Sequence, residues 1–181
     1  MAPSLGTVDQ LGYVVTDLPA AMRHWTENLG VGPFFHFAEA PIVNTYYLGE
    51  RTAARIGVAM AFSGDLQIEL IQQLNPEAPS AYADFLRQHG EGLHHLGHFV
   101  EDGEAEYDAH VRRFADAGVV PYYNGDSGGP GTRFAYFPTE AHGGTVAEVI
   151  ETALYRDFFA MMRDAARDWD GSGPVRAIDG I

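Results

Sequence analysis

The feature that most constrains this chain is a plan that it carries twice. Gln10-Leu11-Gly12-Tyr13-Val14-Val15-Thr16-Asp17 matches His95-Leu96-Gly97-His98-Phe99-Val100-Glu101-Asp102 in pattern. Each run reads as a short strand ending on an acid able to cap a helix. A second echo closes each half, Gly64-Asp65-Leu66-Gln67-Ile68-Glu69-Leu70-Ile71 against Gly143-Gly144-Thr145-Val146-Ala147-Glu148-Val149-Ile150. Both are turn glycines feeding a strand with a carboxylate among apolar residues.

The segments between the echoes complete the plan. In the first half Asp17 is the expected N-cap, Pro19 suits the first helical turn, Met22, Trp25 and Leu29 recur at helical spacing, and Gly30 ends the helix. In the second half Tyr107, Val111 and Phe114 form the stripe and Gly118 stands where Gly30 stood. Two more strands fit in each half: Phe34 to Phe37 with either Tyr46 to Leu48 or Val58 to Phe62, then Val120 to Tyr123 and Phe134 to Phe137. The expected fold is α+β, two βαβββ modules with a C-terminal helix, and curling of each sheet would close them around a cleft. The boundaries are a paired domain over 8–151 (module one 8–75, a linker helix within 76–92 capped by Ser80 and stopped by Gly90, module two 93–151), then a C-terminal helix and tail over 152–181. In that last segment Leu154, Phe158, Met161, Met162, Ala165 and Trp169 have helical spacing, a stripe expected to pack on its own sheet or on a second subunit.

Composition narrows the chemistry. No cysteine is present, so disulfides, thiolate zinc sites and a cysteine nucleophile are excluded, and any metal must be held by histidine and oxygen donors. The net charge is −14, and all 11 basic residues are arginine, a balance that repels nucleic acid and anionic membranes. Met1 to Gly6 lack a basic segment followed by an apolar run, and no stretch approaches the ~20 apolar residues of a membrane span. The expectation is a cytoplasmic protein with neither nucleic acid nor membrane as partner.

Superposing the halves puts Gln10 opposite His95 and Glu69 opposite Glu148. Period-two alternation lets one side chain per strand point inward, so two half-barrels would surround a point with an amide, an imidazole and two carboxylates. Two glutamates neutralise a divalent cation, and the amide and imidazole complete its shell without adding charge. Taken singly, each of these residues is an ordinary surface group, and alternation alone leaves a solvated face open for both acids; the duplicated arrangement favours ligands. His94 and His98 have offset strand phase and read as core or rim, with His94 or His98 available as a partner for His95, while His142 reads as a solvated turn residue.

Leu11-Gly12-Tyr13-Val14-Val15-Thr16-Asp17-Leu18, Asn28-Leu29-Gly30, Gln67-Ile68-Glu69-Leu70, Gly92-Leu93-His94-His95-Leu96-Gly97 and Ala147-Glu148-Val149-Ile150 resemble the module signatures of the vicinal oxygen chelate superfamily of glyoxalases, bleomycin-resistance proteins and extradiol dioxygenases. The resemblance implies a paired βαβββ fold, a homodimer, and one divalent metal ion (Zn, Ni, Co, Mn or Mg) on Gln10, Glu69, His95 and Glu148. The set is most similar to that of glyoxalase I. Methylmalonyl-CoA epimerases share the layout but tend to have glutamine where this chain has Glu69, and no clear match for their extra catalytic acid is found. By the same resemblance Glu148 is the base that removes a proton next to a metal-bound carbonyl, with Glu69 returning one on the opposite face, an isomerase, epimerase or lyase reaction.

Two other readings stand beside it. A binding protein that sequesters an aromatic compound, as bleomycin-resistance proteins do, would use the many Phe and Tyr residues for stacking but would not need the four donors. An extradiol dioxygenase would need a second histidine where Gln10 stands. Arg51, Arg55 and Arg133 are the arginines nearest the expected cleft strands, too few for a polyanionic substrate, so a small, apolar or aromatic carbonyl compound is expected.

Overall fold

The computed structural model describes residues 5–178, and within them the two halves share one curved, unclosed mixed sheet of eleven strands. The first half runs β1 (Gln10–Val14), α1 (Leu18–Leu29), β2 (Phe34–Phe37), β3 (Val43–Tyr47), β4 (Glu50–Arg51), β5 (Ile56–Ser63) and β6 (Leu66–Gln73). Helix α2 (Ala81–His89) leads to the second half, β7 (Gly92–Val100), α3 (Glu104–Asp116), β8 (Tyr123–Asp126), β9 (Arg133–Phe137) and β10 (Val146–Glu151), and α4 (Arg156–Arg167) and β11 (Val175–Ala177) follow. The order across the sheet is β11-β2-β5-β6-β1-β7-β10-β9-β8-β3-β4. Strands β1 and β7 meet antiparallel at its centre, and each is flanked by the closing strand of its own half in parallel, β6 beside β1 and β10 beside β7.

Local chemistry sets the helix ends. Asp17 accepts a hydrogen bond from the N–H of Ala20 at 2.8 Å, and Gly30 takes a left-handed conformation (φ 65°) whose N–H bonds back to Trp25. Ser80 caps α2 through Ala83 at 3.0 Å, and Gly90 follows its end. The repeat is looser at α3: Gly103, not an acid, precedes it and no side chain caps it, so Asp102 does not play the part of Asp17.

Three details depart from the simple double plan. Strands β3 and β4 leave the first half and extend the second half's sheet, β3 pairing antiparallel with β8. The third strand of module one is therefore the one containing Val58 to Phe62, not Tyr46 to Leu48. The expected strand at Val120 to Tyr123 begins only at Tyr123, beyond Pro121, which has no N–H to contribute to a ladder. The tail is not a plain extension, since β11 lies parallel to β2 as an edge strand; residues 1–4 and 179–181, which fall in the leader reading and in the 152–181 segment, lie outside the described residues.

Alternation gives the sheet two different faces. Leu11, Tyr13, Ile68 and Leu70 pack against Leu18 and Met22 of α1. Their counterparts Ala147 and Val149 pack against Tyr107 and Phe114 of α3. The opposite face carries Gln10, Gln67, Glu69 and Glu148, and it is roofed, not solvated. Tyr82 of α2 covers one part, and Phe158 and Phe159 of α4 cover another, the latter packed on Phe35 and Phe62. Of the stripe expected in this segment, Phe158, Met162 and Ala165 pack on the chain's own sheet together with Phe159, whereas Leu154 and Met161 are exposed.

Candidate active site

Strand register brings the four predicted side chains together. Gly12 is the β-partner of both Glu69 and His95, Gly97 is the β-partner of both Gln10 and Glu148, and Gln10 also pairs with Gln67. Each glycine stands two residues after a candidate ligand and faces the ligand of the other half. A Cβ on Gly12 would lie 1.9 Å from Cε1 and 2.1 Å from Nε2 of His95, and a Cβ on Gly97 would lie 2.7 Å from Oε1 of Gln10. The glycine of the repeated motif is therefore a space requirement at the pseudo-twofold axis, one copy for each ligand.

All three oxygen donors face one nitrogen. Nε2 of His95 lies 3.2 Å from Oε1 of Gln10, 3.4 Å from Oε2 of Glu69 and 3.2 Å from Oε2 of Glu148. His95, Gln10 and Glu148 are buried (0%, 2% and 4% exposed), whereas Glu69 is partly open. Gln10 is oriented by Gln67, whose Oε1 accepts from its Nε2 at 2.7 Å and so turns its Oε1 toward His95. Oε2 of Glu148 is buried and lies 3.2 Å from Nε2 of His95, a contact without good hydrogen-bond geometry, and Nε2 of Gln67 is buried with no hydrogen-bond partner among the described residues. As the side chains lie, no group of three or more His, Cys, Asp or Glu among the described residues is set to hold a metal ion, the trio of His95, Glu69 and Glu148 included.

Burial shapes the electrostatics. Burial raises the carboxyl of Glu148, opposed by the adjacent His95. For His95 burial alone acts downward, but the charges and hydrogen bonds of Glu148 and Glu69 outweigh it and hold the imidazole at about 9. Burial pushes His94 well below the usual histidine range, aided by the positive charge of its neighbours His95 and His89. The phenols of Tyr82 and Tyr136, 2.9 Å apart, are raised well above their ordinary value by the same lack of water and stay protonated.

Gln10, Glu69 and Glu148 sit at the polar end of a cavity of about 90 Å³ whose other walls are chiefly apolar, among them Met60, Ile71, Phe134 and Phe158. No arginine lines it. Arg55 is paired with Glu39 at the surface, and Arg133 is tied to Glu151 at 3.1 Å and Asp108 at 2.8 Å while stacking over Tyr107 of α3. His142 is exposed on a turn, and His98 bonds the carbonyl of Thr7 at 2.6 Å.

A family model described as the Glyoxalase/Bleomycin resistance protein/Dioxygenase superfamily matches residues 9–136. The chain belongs to this superfamily. A search of curated proteins finds no match. Among solved structures of the same fold, methylmalonyl-CoA epimerase from Mycobacterium tuberculosis is 25% identical over 83% of this chain and 91% of that one, with a TM-score of 0.54. A Streptomyces coelicolor methylmalonyl-CoA epimerase in complex with 2-nitronate-propionyl-CoA is 22% identical over 81% and 97%, TM-score 0.53. A hypothetical protein from Bacillus halodurans C-125 is 20% identical over 80% and 92%, TM-score 0.51. Superfamily membership accounts for the duplicated sheet, and no helix among the described residues is long and apolar enough to cross a membrane.

Two contributors escaped sequence reasoning. Gln67 entered only as a motif residue, although its pairing with Gln10 in the β1–β6 register makes it the group that sets the amide's direction. Tyr136, the β-partner of Glu148, lies with its ring 4.9 Å from that of His95 and forms part of the cavity wall. The signal for both was their inward phase on strands beside the ligand strands.

Proposed function

We propose that the chain is a metal-dependent isomerase, epimerase or lyase that removes a proton next to the carbonyl of a small, largely apolar substrate, with Gln10, Glu69, His95 and Glu148 holding one divalent ion. The observation that carries this reading is the single imidazole nitrogen with three oxygens 3.2–3.4 Å away. Donors bound to one cation at about 2.1 Å stand roughly 3.0 Å apart in an octahedral shell and roughly 3.4 Å in a tetrahedral one. The separations around His95 fall in that range, and the buried Oε2 of Glu148, which makes no well-aligned hydrogen bond, has lone pairs to use. The donor set also balances a double positive charge, and it admits zinc, nickel, cobalt, manganese or magnesium.

When bound, a divalent ion supplies Lewis acidity, which polarises a substrate carbonyl and makes the neighbouring C–H acidic. Glu148, buried in the wall of the cavity beside Tyr136, would take that proton as general base. Glu69, the more open carboxylate, returns a proton on the other side. The apolar walls limit water around the buried Glu148, whereas Glu69 stays partly open to solvent.

Volume and charge define the substrate class. The cavity is smaller than the roughly 150 Å³ of an engineered cavity that binds benzene, so the reacting portion is short. A drug-sequestering role for this cavity would require about 300 Å³ or more. An acyl-CoA phosphate tail would need basic contacts, and the cavity lining has none.

Proton abstraction is tested by incubating the metal-loaded protein with short 2-hydroxy, 2-keto and 2-substituted carbonyl compounds in D2O and following the α-proton by NMR. Exchange of one α-hydrogen that stops on chelation is the expected result; no exchange across the series would remove the reading. Because the cation must displace the proton that His95 keeps up to about pH 9, metal affinity should climb by about tenfold per pH unit from 7 toward 9. Chelator competition at several pH values measures this slope, and a flat profile would exclude His95 as the group displaced.

A further inference from the structure

Consecutive residues of a regular strand send their side chains to opposite faces, which would part His94 from His95. The β1–β7 ladder is not regular there: Gly12 pairs with His95 and Tyr13 with Leu93, so His94 is the extra residue of a bulge. The bulge brings the two imidazoles onto the same face with their Nδ1 atoms 3.1 Å apart. His94 is then clamped by the rings of Tyr82, Phe85 and Tyr136, with centroids 5.6, 5.0 and 5.4 Å away. It is itself 2% exposed and borders a separate cleft between α2 and the segment around Thr145.

We propose that His94 is a positioning residue for His95, accepting the hydrogen on Nδ1 of His95 and so holding Nε2 toward Gln10, Glu69 and Glu148. This rests on the metal reading above. An imidazole whose Nε2 is given to a cation carries its one hydrogen on Nδ1, and that hydrogen needs an acceptor in a buried place. Nδ1 of His94 is the acceptor within reach, which puts the hydrogen of His94 on Nε2, the nitrogen that bonds no other described group. Without this bond the His95 ring could turn about its Cβ–Cγ axis and lose the common focus of the three oxygens.

Two substitutions separate this role from packing. His94→Phe keeps an aromatic ring among Tyr82, Phe85 and Tyr136 but offers no acceptor, and His94→Asn offers an amide oxygen near the place of Nδ1. Zinc affinity by chelator competition and the visible spectrum of the cobalt form are measured for both and for the unaltered chain. The expected result is a 10–100-fold loss of affinity and an altered cobalt spectrum in His94→Phe, with most of both restored in His94→Asn. Unchanged affinity and spectrum in His94→Phe, or equal damage in both variants, would overturn the proposal. If the unaltered chain takes up neither metal, it is the metal reading that fails, and the proposal with it. Nitrogen NMR of the zinc-loaded, unaltered protein reads the same bond without any substitution: hydrogen on Nδ1 of His95 and none on Nδ1 of His94 supports it, and the reverse assignment overturns it.

Discussion

Glu148→Gln should fold as the unaltered chain does and lose metal-dependent α-proton exchange by about 10²–10⁴-fold, the usual contribution of a positioned general base. Glutamine has nearly the same shape, so the packing against Tyr136 is kept. The change also removes a buried negative charge, which burial already opposes in the native state. A thermal melt unchanged within a few degrees and an unchanged bound-metal content, together with a collapsed exchange rate, would place the loss in proton transfer instead of folding or metal binding. Glu69→Gln should retain more activity, since that carboxylate is partly open and water can serve as an alternative proton source. Comparable exchange rates for Glu148→Gln and the unaltered chain would remove Glu148 from the base position.

The second large effect is expected from a single methyl group. Gly12→Ala places a carbon 1.9–2.4 Å from three atoms of the His95 ring, well inside contact distance. His95 is fully buried, with Nδ1 held 3.1 Å from His94 and Nε2 held 3.2 Å from Gln10. The ring must leave its place, with an overpacking cost of about 1–3 kcal/mol and a loss of metal affinity of at least the roughly 10–100-fold that follows loss of an orienting partner. Gly97→Ala, at the symmetry-related position, meets the amide end and Cβ of Gln10 at 2.7 and 2.9 Å, a milder overlap with a more flexible side chain. The order of damage should therefore be Gly12→Ala above Gly97→Ala in both melting temperature and chelator competition. Full metal affinity in Gly12→Ala would show that His95 does not need its present position.

Much of this architecture is legible in the sequence because a duplicated strand pattern must bury the same face twice. The echo of Gln10-Leu11-Gly12 in His95-Leu96-Gly97, and of Glu69 in Glu148, already contains the register that joins them, and even the glycines of the motif prove to be part of the site. Alternation could not say whether the acids met water. That depended on α2 and α4, which roof the inner face from outside the repeat. Three features depended on long-range pairing that local pattern does not encode. Strands β3 and β4 cross to the second half to meet β8, and β11 returns from beyond α4 to meet β2. The bulge at His94 shifts one residue's phase, and strict alternation sends that residue to the wrong face. Gln67 is similar: its inward phase was readable, but its hydrogen bond to Gln10 required knowing that β1 and β6 lie side by side.

The proposed metal centre consists of an amide, an imidazole and two carboxylates from the two halves around a single divalent ion. Anomalous diffraction from crystals soaked with zinc or cobalt, recorded at the metal's absorption edge, tests it most directly. The expected map has one peak per chain, about 2.0–2.3 Å from Oε1 of Gln10, Nε2 of His95 and one oxygen each of Glu69 and Glu148. A map with no peak among these four side chains, or with the metal only on surface histidines such as His142, would contradict the account.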